Sequence, residues 1–237
     1  MVDFEKEFGK PQYELGARQT LVAATFTRVY GWMCAGLALS GVVAWYTAAS
    51  GLWENVLRGP GFAGCIVVEL ALVLLLSMAI NKLPVAIAYL MFALYAAVNG
   101  LTLSVVFIAY DLVLVQRVFF ITAGMFGGLA LWGTLTKSDL SGIGSICGMA
   151  LWGLIVAGIV NIFLRSSGLD FILSFAGILV FTGLTMYDAQ KIKQLAANEG
   201  TLDSAAVAKI GILGALNLYL DFINLFLHIL RFLGRKR

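Results

Sequence analysis

An all-α membrane protein, folded as one bundle of six or seven spanning helices, is what three features of this 237-residue chain predict. The first is composition: 61% of residues are hydrophobic and 12% charged, with a mean hydropathy of +0.94, against about 25% charged in soluble domains. The second is the length of the uninterrupted apolar runs, which reach the ~20 residues needed to cross a bilayer as helix. The third is their continuity. A membrane β-barrel strand is about half as long and alternates apolar with polar residues, and no such alternation is present.

Residues 1–28, opening MVDFEKEFGKPQYELGARQT, are polar and lack the basic start and apolar core of a secretory signal. They read as a cytosolic N-terminal tail, followed by a single multi-span transmembrane domain over 29–237. Apolar segments fall at about 29–53, 62–80, 84–110, 112–136, 140–164, 170–195 and 210–230, with Pro60 and Pro84 punctuating the turns on either side of the second. Between the sixth and seventh lies the one extended polar linker, KIKQLAANEGTLDSAAVAK. Cys34, Cys65 and Cys147 sit inside apolar runs, where a free thiol behaves as a small hydrophobe, so neither a disulfide framework nor a metal cluster is expected. The pairs Gly124/Gly128 and Gly144/Gly148, at helical spacing, are expected to let backbones approach closely.

With the N-terminus inside, Lys6, Lys10, Arg18, Arg28, Lys82, Lys137, Lys191, Lys193 and Lys209 would lie on the cytosolic side, and only Arg58, Arg117 and Arg165 outside. That bias favours the N-inside orientation. Seven full crossings would then place Arg231, Arg235, Lys236 and Arg237 outside, so either the last segment stops short or a late helix tolerates the violation. These cations flank an apolar segment rather than forming a stripe, so no nucleic-acid surface is expected.

Chemistry concentrates in the last segment. Asn217, Asp221, Asn224 and His228 recur at spacings of four, three and four, which puts them on one face of a helix whose other faces are Leu, Ile and Phe. Facing lipid, the carboxylate would cost roughly 2.5–3.5 kcal/mol, so this helix is expected at the bundle interior. Hydrogen bonding between helices accounts for Asn217 and Asn224, which could also line an ion path. Asp188 of the sixth segment is a candidate partner for Asp221: the helices run oppositely, with Asp188 about 10 Å from the end of one and Asp221 about 16 Å into the next. Two carboxylates in a low-dielectric site tend to share a proton and offer oxygen ligands to a hard cation such as Ca²⁺, so proton and Ca²⁺ would compete there. Glu69, within the second segment, is a third intramembrane acid and a candidate for the same path. His228 reads as a residue of the membrane interface rather than a ligand.

The segments RVYGWMCAGLALSGVVAW, NGLTLS, TKSDLS, GLTMYDAQKIK and GALNLYLDFINLFLHILRFLGRKR, in this order, resemble the Bax inhibitor-one (transmembrane Bax inhibitor motif) family, in its bacterial branch, from about Thr20 to the end. The resemblance implies a seven-helix bundle of the bacterial inner membrane, with six helices wrapped around a central C-terminal one. It also implies a pH-sensitive Ca²⁺ leak, without a cofactor, in which a hydrogen-bonded aspartate pair corresponding to Asp188 and Asp221 acts as pH sensor and gate. An arginine of the second span that can pair with the first aspartate in some bacterial relatives has no clear counterpart; Lys82 and Arg28 are the nearest bases. Eukaryotic relatives suppress cell death, which a bacterial-type chain gives no reason to assume. Some bacterial relatives modulate a membrane-bound AAA protease through the cytosolic tail, a role to which Phe4, Phe8 and Tyr13 would be suited.

An enzyme is not expected. Paired aspartates on two spans are shared with intramembrane aspartyl proteases, but the Gly-x-Gly-Asp of those enzymes is here Leu218-Tyr219-Leu220-Asp221. A serine protease fares worse: Ser145 has no evident partner in the chain's single histidine.

Overall fold

The computed structural model describes residues 4–54, 60–198 and 204–234, and is all-helical over that range. The side chains of Phe4, Phe8 and Tyr13, the residue Arg58, part of the long linker and the closing Arg235, Lys236 and Arg237 lie outside the described residues. Seven helices are long and apolar enough to span a membrane: α1 (Phe4–Ala49), α2 (Pro60–Ala79), α3 (Val85–Ala109), α4 (Leu112–Leu135), α5 (Ser141–Leu164), α6 (Ser167–Asn198) and α7 (Ser204–Leu233). Local chemistry marks their ends. Gly51 takes φ +74°, the left-handed turn that closes a helix where other residues are strained; Pro60 opens α2 and Pro84 caps α3. Asp111 caps α4 by accepting from Val113 N at 3.1 Å.

Successive helices alternate in direction, so the bundle has an N-face, carrying the α2–α3, α4–α5 and α6–α7 connections, and a C-face. Helix α7 runs the whole way between them. Near its start Lys209 donates to Asn81 O in the α2–α3 turn at 2.9 Å, and at its end Gly234 lies against the Tyr110 ring beyond α3. Helix α7 therefore spans the bundle from one face to the other, and Arg231 stands on the C-face with Arg165.

Helix α7 is also the centre. It is buried nearly all round, with Ile212, Leu216, Leu218, Tyr219 and Leu225 fully so, and it packs against α1, α3, α4 and α6. Helix α1 meets the bundle along one seam, Thr25, Val29, Met33, Gly36, Ser40, Ala44 and Thr47, at the alternating spacing of three and four that a helix-packing stripe requires. The other two helices stand further out: α2 leans on α3, and α5 on α6, with only Gly144 of α5 buried. The expected wrapping of six helices around the last is therefore built as an inner ring of four, with two outer supports.

Of the four glycines expected to allow close approach, Gly144 does so and the other three do not. A Cβ at Gly124, Gly128 or Gly148 would meet nothing within 4 Å; Gly124 and Gly128 are exposed on the outside of the bundle and Gly148 is half-buried. A Cβ at Gly133 would run into the Met186 backbone, at Gly144 into the Tyr187 ring, at Gly183 into Cys147 Sγ, and at Gly100 into Val43 and Ser40 O. Both Gly133 and Gly144 fit α4 and α5 onto α6.

Candidate functional site

Two glycines fix the register of α6 against α7. Gly214 lies against Ile192, and Gly177 lies beneath the His228 ring. Counting between these contacts along antiparallel helices sets Asp221 level with Thr185, and Asp188 one turn nearer the N-face, level with Asn217. The two carboxylates are within electrostatic range of one another. Asp221 is 4% exposed, and its Oδ2 is buried without a hydrogen-bond partner among the described residues. An ionised carboxylate in such a place is costly by several kcal/mol, so its charge must be met by a proton, a cation or water. Asp188 is half-buried, and the cation acting on it is Lys191, one turn further along α6, rather than Lys82 or Arg28. Lys191 Nζ also sits 5.7 Å from the Tyr187 ring centroid, a cation–π contact on the N-face side of the pair.

Glu69 belongs to a different polar cluster on the other side of α7. Thr102 Oγ1 donates to Glu69 Oε1 at 2.8 Å, and Asn99 Nδ2 to Oε2 at 3.3 Å. Tyr219 donates to Asn99 Oδ1 at 2.8 Å, and its hydroxyl lies 2.6 Å from Ser40 Oγ, which also reaches Ala96 O at 2.7 Å. The chain Glu69–Asn99–Tyr219–Ser40 thus ties α2, α3, α7 and α1 together through the bundle. Of its members sequence reasoning found only Glu69. Asn99 and Thr102, three apart on one face of an apolar span, were the available signal; Ser40 and Tyr219 are recognisable only once the helices are assembled.

Helix α7 keeps the two clusters apart, since Tyr219 and Asp221 project from nearly opposite faces. Asn224 lines a cavity on each side of α7. Its amide donates to Leu220 O at 2.8 Å, and its side lines a cavity of about 350 Å³ shared with Glu69, Asn99 and Thr102. It also lines a smaller cavity of about 190 Å³ against α5 and α6, with His228; Arg231 stands at the rim of both. Asn217 lines neither. His228, expected at the membrane interface, packs within the bundle: its ring stacks on Phe181 at 5.6 Å and is wedged over Gly177, with Nδ1 buried and unpartnered among the described residues. Among the described residues no three His, Cys, Asp or Glu side chains converge as a metal site would require.

Towards the N-face, Gln190 of α6 clasps the α4–α5 turn: Nε2 donates to Ser138 O and Oε1 accepts from Leu140 N, both at 2.8 Å. One turn on, Lys193 Nζ donates to Thr134 O at 2.6 Å. The segments YDAQKIK and TKSDLS are therefore in contact, immediately beyond Asp188.

A family model described as "Inhibitor of apoptosis-promoting Bax1" matches residues 22–237. The chain is 46% identical over 212 residues to the inner membrane protein YbhL of Escherichia coli strain K12, covering 89% of this chain and 91% of that protein. An uncharacterized protein of Deinococcus radiodurans is 42% identical over 219 residues, covering 91% and 92%. One from Borreliella burgdorferi is 40% identical over 213 residues, covering 89% and 91%.

Proposed function

This chain belongs to the Bax inhibitor-1 family, and from that premise and the acid pair inside its bundle we propose that it is a pH-sensitive Ca²⁺ leak pathway, channel or carrier, of the bacterial inner membrane. The observation that carries the reading is Asp221, a carboxylate on the central helix with one oxygen buried and unpartnered and with Asp188 in electrostatic range. Two carboxylates supply only part of the six to eight oxygens that Ca²⁺ prefers, an arrangement suited to passage rather than storage. The inner-membrane setting follows the relative from Escherichia coli, and the N-inside orientation follows the bias of Lys82, Lys137, Lys191, Lys193 and Lys209 to the N-face.

Asp188 and Asp221 act as sensor and gate. Holding a proton, the pair has less charge to offer a divalent ion; losing it, the pair attracts the ion and its own repulsion loosens α6 from α7. Proton and Ca²⁺ compete for the same oxygens, so apparent Ca²⁺ affinity falls as pH falls. Glu69 and Asn224, sharing a cavity on the C-face side, form the approach. Leu218 and Tyr219, both fully buried beside Asp221, leave no opening for a substrate backbone, which supports transport over proteolysis.

The test is Ca²⁺ flux into liposomes carrying the full chain, read over a pH series. Wild type should respond to pH, and Asp221→Asn should lose that response. Identical flux in both proteins at every pH would defeat the assignment. Deleting the residues before Gly16 should leave flux intact; a change only in turnover by a membrane-bound AAA protease would instead favour a modulator role.

A further inference from the structure

Asp221 Oδ2 is buried without a partner among the described residues, so a route to water must reach the pair if it is to gain and lose protons. Towards the C-face the structure offers one. The cavity of about 190 Å³ between α5, α6 and α7 is bordered by Asn224, His228 and Arg231, in that order along α7. They continue the stripe that begins at Asn217 and Asp221. Asn224 stands one turn from Asp221 and one turn from His228, and Arg231 ends the stripe at the C-face, about 15 Å of helix from Asp221. The wall contributed by α5 is apolar: Leu151, Leu154, Ile155 and Gly158.

A cavity of this kind suits water. It is polar along one side and has room for about six molecules at about 30 Å³ each. A hydrogen-bonded file of about three, spaced about 2.8 Å apart, covers the roughly 10 Å of helix rise between Asp221 and His228. Water alone is a poor carrier of protons here, because a hydronium passing Arg231 meets a like charge and is then poorly solvated between apolar walls. A histidine just inside the rim removes that barrier by holding the proton itself. The charged groups acting on its ring are Arg231 of its own helix and Asp170 of α6, which are of opposite sign, while α5 presents only apolar residues to the cavity. A Cβ at Gly177 would meet Cγ, Nδ1 and Cε1 of the ring, which leaves Nε2 on the edge turned away from that residue.

We propose that His228 is the proton relay joining the Asp188–Asp221 pair to the C-face, through water held in this cavity. The inference rests on the pH-sensing reading of that pair. In one passage Nε2 takes a proton from water at the Arg231 end, making the ring an imidazolium, and releases it to water at the Asn224 end. That water delivers a proton to a carboxylate oxygen of Asp221, so the ring returns to neutral and one carboxyl O–H bond has formed. Asp188 lies one turn nearer the N-face and is half-buried, so exchange with that face bypasses His228. The histidine therefore sets how fast the pair registers the C-face, and leaves its equilibrium titration alone.

The test uses the full-length protein inserted in liposomes in one orientation, with an acid step applied to one face at a time. The signal is the carboxylic-acid infrared band that Asp221→Asn removes, followed in time. Wild type should develop the band after a step on either face. His228→Gln should develop it about a hundredfold more slowly after a step on the C-face, but at the wild-type rate after a step on the N-face and to the same final amplitude. Equal C-face rates in wild type and His228→Gln would overturn the relay and leave the titration of the pair standing. Slowing from both faces, or a changed amplitude, would make His228 a structural residue and overturn it too. Finding no band that depends on Asp221 would remove the pH-sensing reading itself, and the relay with it.

Discussion

At Gly133 the missing side chain is the interaction. A methyl there would occupy the space of the Met186 backbone, which cannot rotate away. Gly133→Ala should destabilise the protein in detergent by about 1–3 kcal/mol, as overpacking does. Gly124→Ala, by contrast, meets nothing and gains helix propensity, so its thermal midpoint should hold or rise. The two glycines look alike in sequence, since both stand in apolar helix; what separates them is which face meets α6, and that depends on a partner more than 50 residues away. The same logic applies to Tyr219. Tyr219→Phe removes the hydroxyl that bridges Asn99 and Ser40 and should cost about 1–3 kcal/mol, because Asn99 Oδ1 is left buried without its donor. Asp221 was legible as a site because a carboxylate amid Leu and Phe is anomalous in any register. The tyrosine beside it was not, because an aromatic in an apolar helix needs no explanation.

At the level of elements, Gln190 and Lys193 join the N-face end of α6 to the α4–α5 turn. Gln190 is 6% exposed and serves two backbone groups of the turn, Ser138 O and Leu140 N. Gln190→Ala should cost about 1–3 kcal/mol and raise amide hydrogen exchange at Leu140 above its neighbours in α5. Exchange unchanged at Leu140 would mean that the turn is held some other way. Asp139, in the same turn, provides a control for the pH reading. The Ser141 hydroxyl, followed by the Ser141 backbone N–H, lowers its carboxyl below the usual range. A lowered carboxyl contributes stability above its unfolded pKa and loses it as pH falls through the folded value, in the acid range below about 4. Near neutrality it is ionised and silent, so Asp139→Asn should leave the pH dependence of Ca²⁺ flux unchanged. Both segments of this clasp are visible as polar strings at the ends of apolar runs. Their contact is not visible, because hydropathy reports depth in the membrane and carries no information about which helix faces which.

For the molecule as a whole, length and apolar continuity were enough to read seven apolar helical segments, six or seven of them spanning, since crossing a bilayer is a local requirement on each segment. The polar stripe of α7 pointed to the interior for the same reason: lipid rejects it wherever the other helices stand. Whether α7 crosses could not be read from charge, because Arg231 and the basic tail oppose the bias of the other loops; Lys209 at Asn81 and Gly234 at Tyr110 place its ends at opposite faces of the bundle. Reporters fused to the two ends of the chain should therefore report opposite sides of the membrane, an N-terminal fluorescent protein maturing in the cytosol and a C-terminal alkaline phosphatase active in the periplasm. Both ends on one side would refute the crossing. Central burial of α7 also bears on how the chain is made. Synthesis runs from the N-terminus, so the helix that fills the middle of the bundle leaves the ribosome last. Until it does, the six earlier helices lack their centre: Tyr219, which bridges Ser40 and Asn99, and His228, which covers Gly177, do not yet exist. A chain interrupted before Ser204 would leave Ser40 and Asn99 without the tyrosine that joins them, and docking of the thirty-residue α7 supplies it.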